Sequence, residues 1–255
     1  MKFKELKLFL DEKAARYEQT SFLTSDPIQI PHRFSQKEDI EIAGFIVASI
    51  AWGNRLSIIK SGSKIIELME NDPFRFVLHH STKDLIPVEK FVHRTFKGID
   101  LNYFIKALKN LYQHHGGLEA AFTQNSLAIR MDDNIHHFRI LFFELAHEKR
   151  TEKHIADPKN GSAAKRINMF LRWMVRSNKM GVDFGLWKTI QPSQLSCPLD
   201  VHTGNVARSL GLLKRKQNDQ KAVMELDTVL RKLDPHDPVK YDFALFGLGV
   251  FEHFS

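Results

Sequence analysis

Apolar residues recur at helical spacing along nearly the whole chain. Over residues 3–17, Phe3, Leu6, Leu8, Phe9 and Ala14 are set among Lys and Glu, the stripe of an amphipathic helix. Over 37–51 the apolar positions Ile40, Ile42, Ala43, Phe45, Ile46, Val47, Ala48 and Ile50 cover most of the circumference, which places this helix at the centre of a bundle. The same period predicts helices near 55–70, 73–79, 100–114, 117–122, 134–146 and 162–177, one beginning at Asp200, and a last one over 241–251. Residues 26–32 (Asp-Pro-Ile-Gln-Ile-Pro-His) read as an extended connector, because each proline pushes its predecessor out of the α region. No period-two alternation persists beyond a few residues, and no internal repeat or low-complexity tract is present. The pattern predicts an all-α protein.

Composition narrows the class without naming a function. At 255 residues the chain can bury a large core or build two lobes. Its 43% hydrophobic and 26% charged content is that of a globular protein. A net charge of +7 suits a polyanionic partner. Cys197 is the single cysteine, which excludes an internal disulfide, a four-cysteine zinc site and a self-contained iron–sulfur cluster. No apolar run approaches the roughly 18–20 residues that span a bilayer, and residues 1–5 lead into an amphipathic helix rather than a signal-peptide core. The expectation is a soluble, intracellular, cytoplasmic protein with no cofactor, no metal and no membrane partner.

Four stretches carry candidate chemistry. The first is Pro198-Leu199-Asp200-Val201-His202, followed by Arg208 and Leu210-Gly211-Leu212. An Asp before an apolar-periodic segment is ordinarily a helix N-cap. The second is 161–176, where Ala163, Ile167, Phe170, Leu171 and Met174 share one side of a helix and Lys165, Arg172 and Arg176 fall on the other. That basic side reads either as a solvated face or as a face turned to nucleic acid. Lys165 would lie near the positive end of the helix dipole, which disfavours its ammonium form and favours a nucleophilic amine. The turn at 157–162, with Pro158 and Gly161, offers backbone N–H groups to a phosphate.

The third stretch ends the central helix in Trp52-Gly53-Asn54-Arg55, either a helix end packing Trp52 on the core or a polar tip facing DNA. The fourth is 237–249, in which Asp242 and Phe246 lie four apart on one face. Asp242 is either a first-turn carboxylate complementing the helix dipole or an acceptor for the edge of a flipped base, with Phe246 as core or as stacking wall. The doublets His79-His80, His114-His115 and His136-His137 point their rings about 100° apart on a helix and make poor metal sites. No HExxH, Walker A, Rossmann or Gly-x-Ser-x-Gly pattern is present.

The 198–212 stretch resembles the segment that carries the catalytic aspartate in helix-hairpin-helix DNA glycosylases, the endonuclease III and 8-oxoguanine glycosylase superfamily. The stretches 40–55 and 161–176 resemble it less closely, and the Leu-Pro-Gly-Val-Gly hairpin signature is absent. The long Lys165-to-Asp200 spacing is similar to the archaeal 8-oxoguanine glycosylase branch, and a bacterial branch of the superfamily also comes into view. The resemblance implies a two-lobed HhH-GPD helical fold, with residues 40–178 in one lobe and 1–39 plus 179–255 in the other, and with Lys165 and Asp200 approaching a cleft from opposite lobes. It implies base-excision repair by a DNA glycosylase and AP lyase (a hydrolase acting on a damaged base such as 8-oxoguanine), with Lys165 as nucleophile, Lys159 as fallback, and Asp200 as proton acceptor. Asp242, Phe246, Pro198 and Trp52 would bind the base. Asn54, Arg55, Gly161, Ser162, Arg166, Arg172, His202 and Arg208 would contact double-stranded lesion DNA, bound by a monomer. Two alternatives stay open: a non-catalytic helical module for DNA or protein binding, and a glycosylase without lyase action that uses Asp200 and water.

Overall fold

The computed structural model describes residues 2–123 and 128–254. In chain order the helices are α1 (Phe3–Tyr17), α2 (Lys37–Ser49), α3 (Arg55–Leu68), α4 (Pro73–His79), α5 (Ile86–Glu89), α6 (Gly98–His114), α7 (Gly117–Ala121), α8 (Asp132–Phe142), α9 (Lys165–Val175), α10 (Val201–Ser209), α11 (Gln220–Leu233) and α12 (Tyr241–Phe251). The protein is mostly helical, as the apolar period predicts. One short antiparallel hairpin, β1 (Val92–His93) with β2 (Phe96–Lys97), was not expected. It pairs Val92 with Lys97 and His93 with Phe96, too few residues to leave an alternation in the sequence.

The chain divides into two compact units. The first comprises Met1–Phe22, Ser126–Asp133 and Asp157–Ser255, and the second Leu23–Asn125 and Asn134–Ala156. This division differs from the lobes expected from sequence, because α9 belongs with α1 and α10 to α12.

In the first unit α1 packs against α12, and α12 also packs against α10. Leu6, Leu10 and Ala14 of α1 join Val206, Ala207, Leu226, Leu230, Tyr241, Leu245 and Leu248 in one buried core. The approach of α1 to α12 is close enough that a Cβ on Gly247 would lie 2.1 Å from Cδ2 of Tyr17. Tyr241, fully buried in its ring, donates its hydroxyl to Asp11 at 2.8 Å. Helix α11 was missed by the sequence reading. It opens on Asp219, whose carboxylate accepts from the Ala222 N–H, and buries Ala222, Val223, Leu226, Leu230 and Leu233.

In the second unit α2 is buried at every position from Asp39 to Ser49, which agrees with its expected central place. Around it sits an aromatic core. Phe45 stacks on Phe104, Phe122 stacks on Phe138, and Phe142 meets Phe45 and Phe104 edge to face. The connector at 26–32 is not extended throughout. Pro27 and Pro31 each open a 3-10 turn, Pro27–Gln29 and Pro31–Arg33, where the missing N–H costs no hydrogen bond.

Candidate active site

Helix α9 starts abruptly. Ala164 adopts a left-handed conformation with φ 44°, which costs a non-glycine residue of order 1 kcal/mol. The turn is pinned locally: Ser162 Oγ accepts from the Ala164 N–H at 3.2 Å, and Asn168 Nδ2 donates to the Ala163 carbonyl at 3.1 Å. Lys165 is therefore the first helical residue, with its side chain partly exposed.

Asp200 stands at the start of α10 in an extended conformation and caps it, one carboxylate oxygen accepting from the Thr203 N–H at 2.9 Å. The other oxygen faces Lys165 Nζ at 3.9 Å, with side-chain exposures of 28% for the lysine and 22% for the aspartate. Both side chains are thus partly open to solvent. The segment leading into Asp200 is held from behind by α11. Asp227 accepts from the Cys197 N–H at 3.0 Å and pairs with Arg130 at 2.9 Å, while Arg231 donates to the Leu195 carbonyl at 2.7 Å. Pro198 and Leu199 are buried in this segment.

Behind the pair lies a buried charge network. Arg172 of α9 donates to Asp242 of α12 and pairs with Asp183 at 3.3 Å. Arg176 pairs with Glu18, Asp183 and Asp237. Phe243 lies beneath both guanidinium groups, its ring 4.2 Å from Arg172 and 5.4 Å from Arg176. Two cations thus face four carboxyl groups. Burial pushes Asp242 up to about 6, with Asp200 adding to the rise and Arg172 and Lys165 opposing it. Burial also drives the Cys197 thiol well above its ordinary range, and Asp242, 3.9 Å from its sulfur, adds to this.

The helical wheel of 161–176 misplaced two residues. Arg172 and Arg176 are 4% and 5% exposed, so Arg172 is not part of a solvent-facing basic stripe. Ion pairing draws both inward, onto carboxylates that the wheel does not contain. Arg166 is partly buried. Arg208 is committed locally, donating to the Arg215 carbonyl at 2.8 Å and to Asn218 at 2.6 Å. His202 is exposed, on the turn that follows Asp200.

The turn at 157–162 also differs from expectation. The N–H groups of Lys159, Asn160, Gly161 and Ser162 have acceptors within the turn, on Asp157 or Pro158, so they do not point outward as an anion cradle. Gly161 sits at φ 84° with open space beside its α carbon. Lys159, the fallback nucleophile, pairs with Asp133.

Asp242 is 5% exposed and Phe246 half-buried, the latter edge to face with Phe22 at 6.1 Å. They share one face of α12, yet Asp242 is turned to Arg172 rather than to the surface. In the second unit Trp52 is half-buried between His154, on which it stacks, and His93, which it meets edge to face. Asn54 is exposed and caps α3 by accepting from the Ser57 N–H at 3.2 Å. Arg55 is the first residue of that helix.

Sequence reasoning did not single out Asp227, Asp183, Asn218 or Asp219. Only the last carried a readable signal, an Asp directly before an apolar-periodic run. Among the described residues no group of three His, Cys, Asp or Glu side chains is placed to hold a metal ion, and no helix is long and apolar enough to cross a membrane.

No curated protein and no solved structure matches the chain. A family does, and its match takes in Lys165, Asp200 and Asp242. Residues 26–251 match the family described as protein of unknown function (DUF2400), and the chain belongs to it.

Proposed function

We propose that the protein is a DNA glycosylase with AP lyase action, of the helix-hairpin-helix type, with Lys165 and Asp200 as its reacting pair. One observation carries the reading: an amine and a carboxylate, each partly open to solvent, begin two different helices and face each other at 3.9 Å. Both residue types are those the resemblance names, although the two helices belong to one compact unit rather than to opposite lobes.

The chemistry asks for an unprotonated amine beside a group that takes its proton. Asp200 Oδ2 accepts a proton from Lys165 Nζ, while Oδ1 stays fixed by the cap. The free amine attacks C1′ of a damaged nucleotide swung out of the duplex, and the bond to the base breaks with its electron pair leaving on the base. The nitrogen then gives up its second proton, which passes to O4′ as the C1′–O4′ bond breaks, leaving a C4′ hydroxyl and a protonated C1′=N bond to Lys165. Removal of a C2′ proton then expels the 3′ phosphate and nicks the strand. Asp200 also stabilises positive charge developing on the sugar. The net charge of +7 favours the polyanionic substrate.

The test is borohydride trapping on duplexes that carry 8-oxoguanine, uracil, alkylated purines or thymine glycol. The wild type forms a covalent adduct with one of them, and Lys165→Gln forms none. Undiminished trapping in Lys165→Gln discards the lysine. Base release that persists in Lys165→Gln without trapping points instead to Asp200 acting with water. Absence of any product leaves the helical binding module, in which Asp200 only caps α10.

A further inference from the structure

Residues 218–220 touch both sides of the Lys165–Asp200 pair. Asn218 Nδ2 donates to the backbone carbonyl of Asp200 at 2.9 Å, and Asn218 Oδ1 accepts from Arg208 Nη2 at 2.6 Å. Asp219 forms an isolated antiparallel bridge with Ser162. The Gln220 N–H donates to the Gly161 carbonyl at 3.0 Å. Three consecutive residues thus grip the chain at 200 on one side and at 161–162 on the other, just ahead of the turn that delivers Lys165.

Gly204 makes room for this arrangement. A Cβ there would fall 2.7 Å from Arg208 Nη1 and 2.8 Å from Asn218 Oδ1. Glycine inside a helix is unfavourable by propensity, so its presence in α10 is explained by the Arg208–Asn218 contact lying across the helix at that point.

We infer that Asn218 is a positioning residue: with Asp219 and Gln220 it forms a strap that sets the separation between the Lys165 amine and the Asp200 carboxylate. The inference rests on the reading of those two residues as the reacting pair. The Asp200 carboxylate is tied to the first turn of α10 by the cap bond from the Thr203 N–H, and the Asp200 carbonyl accepts from the Gly204 N–H in the same turn, so a shift of this turn carries the carboxylate with it. Displacements of about 1 Å are enough to cost two orders of magnitude in rate. Asn218 itself touches neither the amine nor the carboxylate.

Zero-length carbodiimide coupling tests the strap without any substrate. It joins an amine to a carboxylate only where the two meet, and peptide mass spectrometry reads the Lys165–Asp200 amide against two control amides in the same sample, Lys7–Asp11 and Lys240–Asp234, whose side chains pair at 2.7 Å each. The wild type gives all three. Asn218→Ala lowers the Lys165–Asp200 yield several-fold and leaves the other two unchanged. Gly204→Ala does the same while its melting temperature holds or rises, because alanine is the better helix former. On a lesion duplex that the wild type traps, both variants slow single-turnover trapping 10- to 100-fold with duplex Kd unchanged.

Wild-type yield in both variants overturns the strap, as does a wild type that gives no Lys165–Asp200 amide. A lowered yield in a protein that traps no lesion duplex keeps the strap and sinks the glycosylase reading. Full coupling and full trapping in both variants keep the glycosylase reading and sink the strap.

Discussion

Arg172 donates to Asp242 in the interior, the side-chain exposures being only 4% and 8%. The contact joins α9, which begins with Lys165, to α12, and it lies in a cluster richer in carboxyl groups than in cations. Its protonation state is therefore a property of the fold that solution measurements can read.

Asp242 makes stability depend on pH in a defined direction. Burial lifts it from 3.8 to about 6, so between those values the folded chain holds a proton that the unfolded chain has released. The contribution is complete below about pH 4 and is lost as pH rises through 6, amounting to about 3 kcal/mol. Urea unfolding of the wild type and of Asp242→Asn, which has no titrating group there, measures it. The wild-type curve falls relative to the variant across this window; a constant difference contradicts the assignment.

Breaking the pair from the arginine side is costly. Arg172→Met leaves Asp242 and part of Asp183 without their cation, and loss of one buried partner costs about 3–5 kcal/mol. In an Asp242→Asn background the same substitution costs less. Chemical denaturation of the four proteins gives the coupling, and a value near zero means the two residues act independently.

Asp200 has two tasks that substitution separates. Asparagine is as good an N-cap as aspartate, so Asp200→Asn changes stability by no more than about 0.5 kcal/mol, whereas Asp200→Ala loses about 1 kcal/mol. Both slow lesion-dependent trapping by about a hundredfold or more, since neither side chain takes a proton. Trapping that survives in Asp200→Asn would make Asp200 a cap and nothing else.

Asn54 allows the same separation in the second unit. Asn54→Asp keeps the cap on α3 and adds a negative charge to an exposed position. Stability should stay within about 0.5 kcal/mol. If Asn54 faces the phosphate backbone, duplex affinity drops and its salt dependence changes. Unchanged affinity at low salt removes Asn54 and its neighbourhood from the DNA face.

What could be read from the sequence follows from how local each signal is. Phe3–Tyr17, Pro73–His79 and Tyr241–Phe251 have the bounds that their apolar spacing, caps and prolines predict. Asp200 was legible as a cap for the same reason. Helix α11 carries an apolar stripe of Ala222, Val223, Leu226, Leu230 and Leu233 behind the cap Asp219, a local signal of the same kind, which the sequence reading passed over. Arg172 and Arg176 were misplaced because their partners, Asp183, Asp242, Glu18 and Asp237, are remote in sequence or lie outside the helix, and no wheel contains them. The strap at 218–220 combines side-chain contacts of Asn218 with backbone contacts of Asp219 and Gln220, and none of them leaves a periodic pattern in the sequence.

The packing of α1 on α12 also orders events during synthesis. Asp11 and Tyr241, which bond to each other, are 230 residues apart. At ribosomal rates that gap is about 10–50 s, during which the apolar side of the first helix lacks α12, the helix it packs on. The second unit, drawn from a nearly continuous stretch, is free to condense meanwhile. The half of the molecule holding Lys165 and Asp200 is therefore the last to close, and a ribosome that stalls before α12 releases a chain whose first helix is exposed to chaperones and proteases.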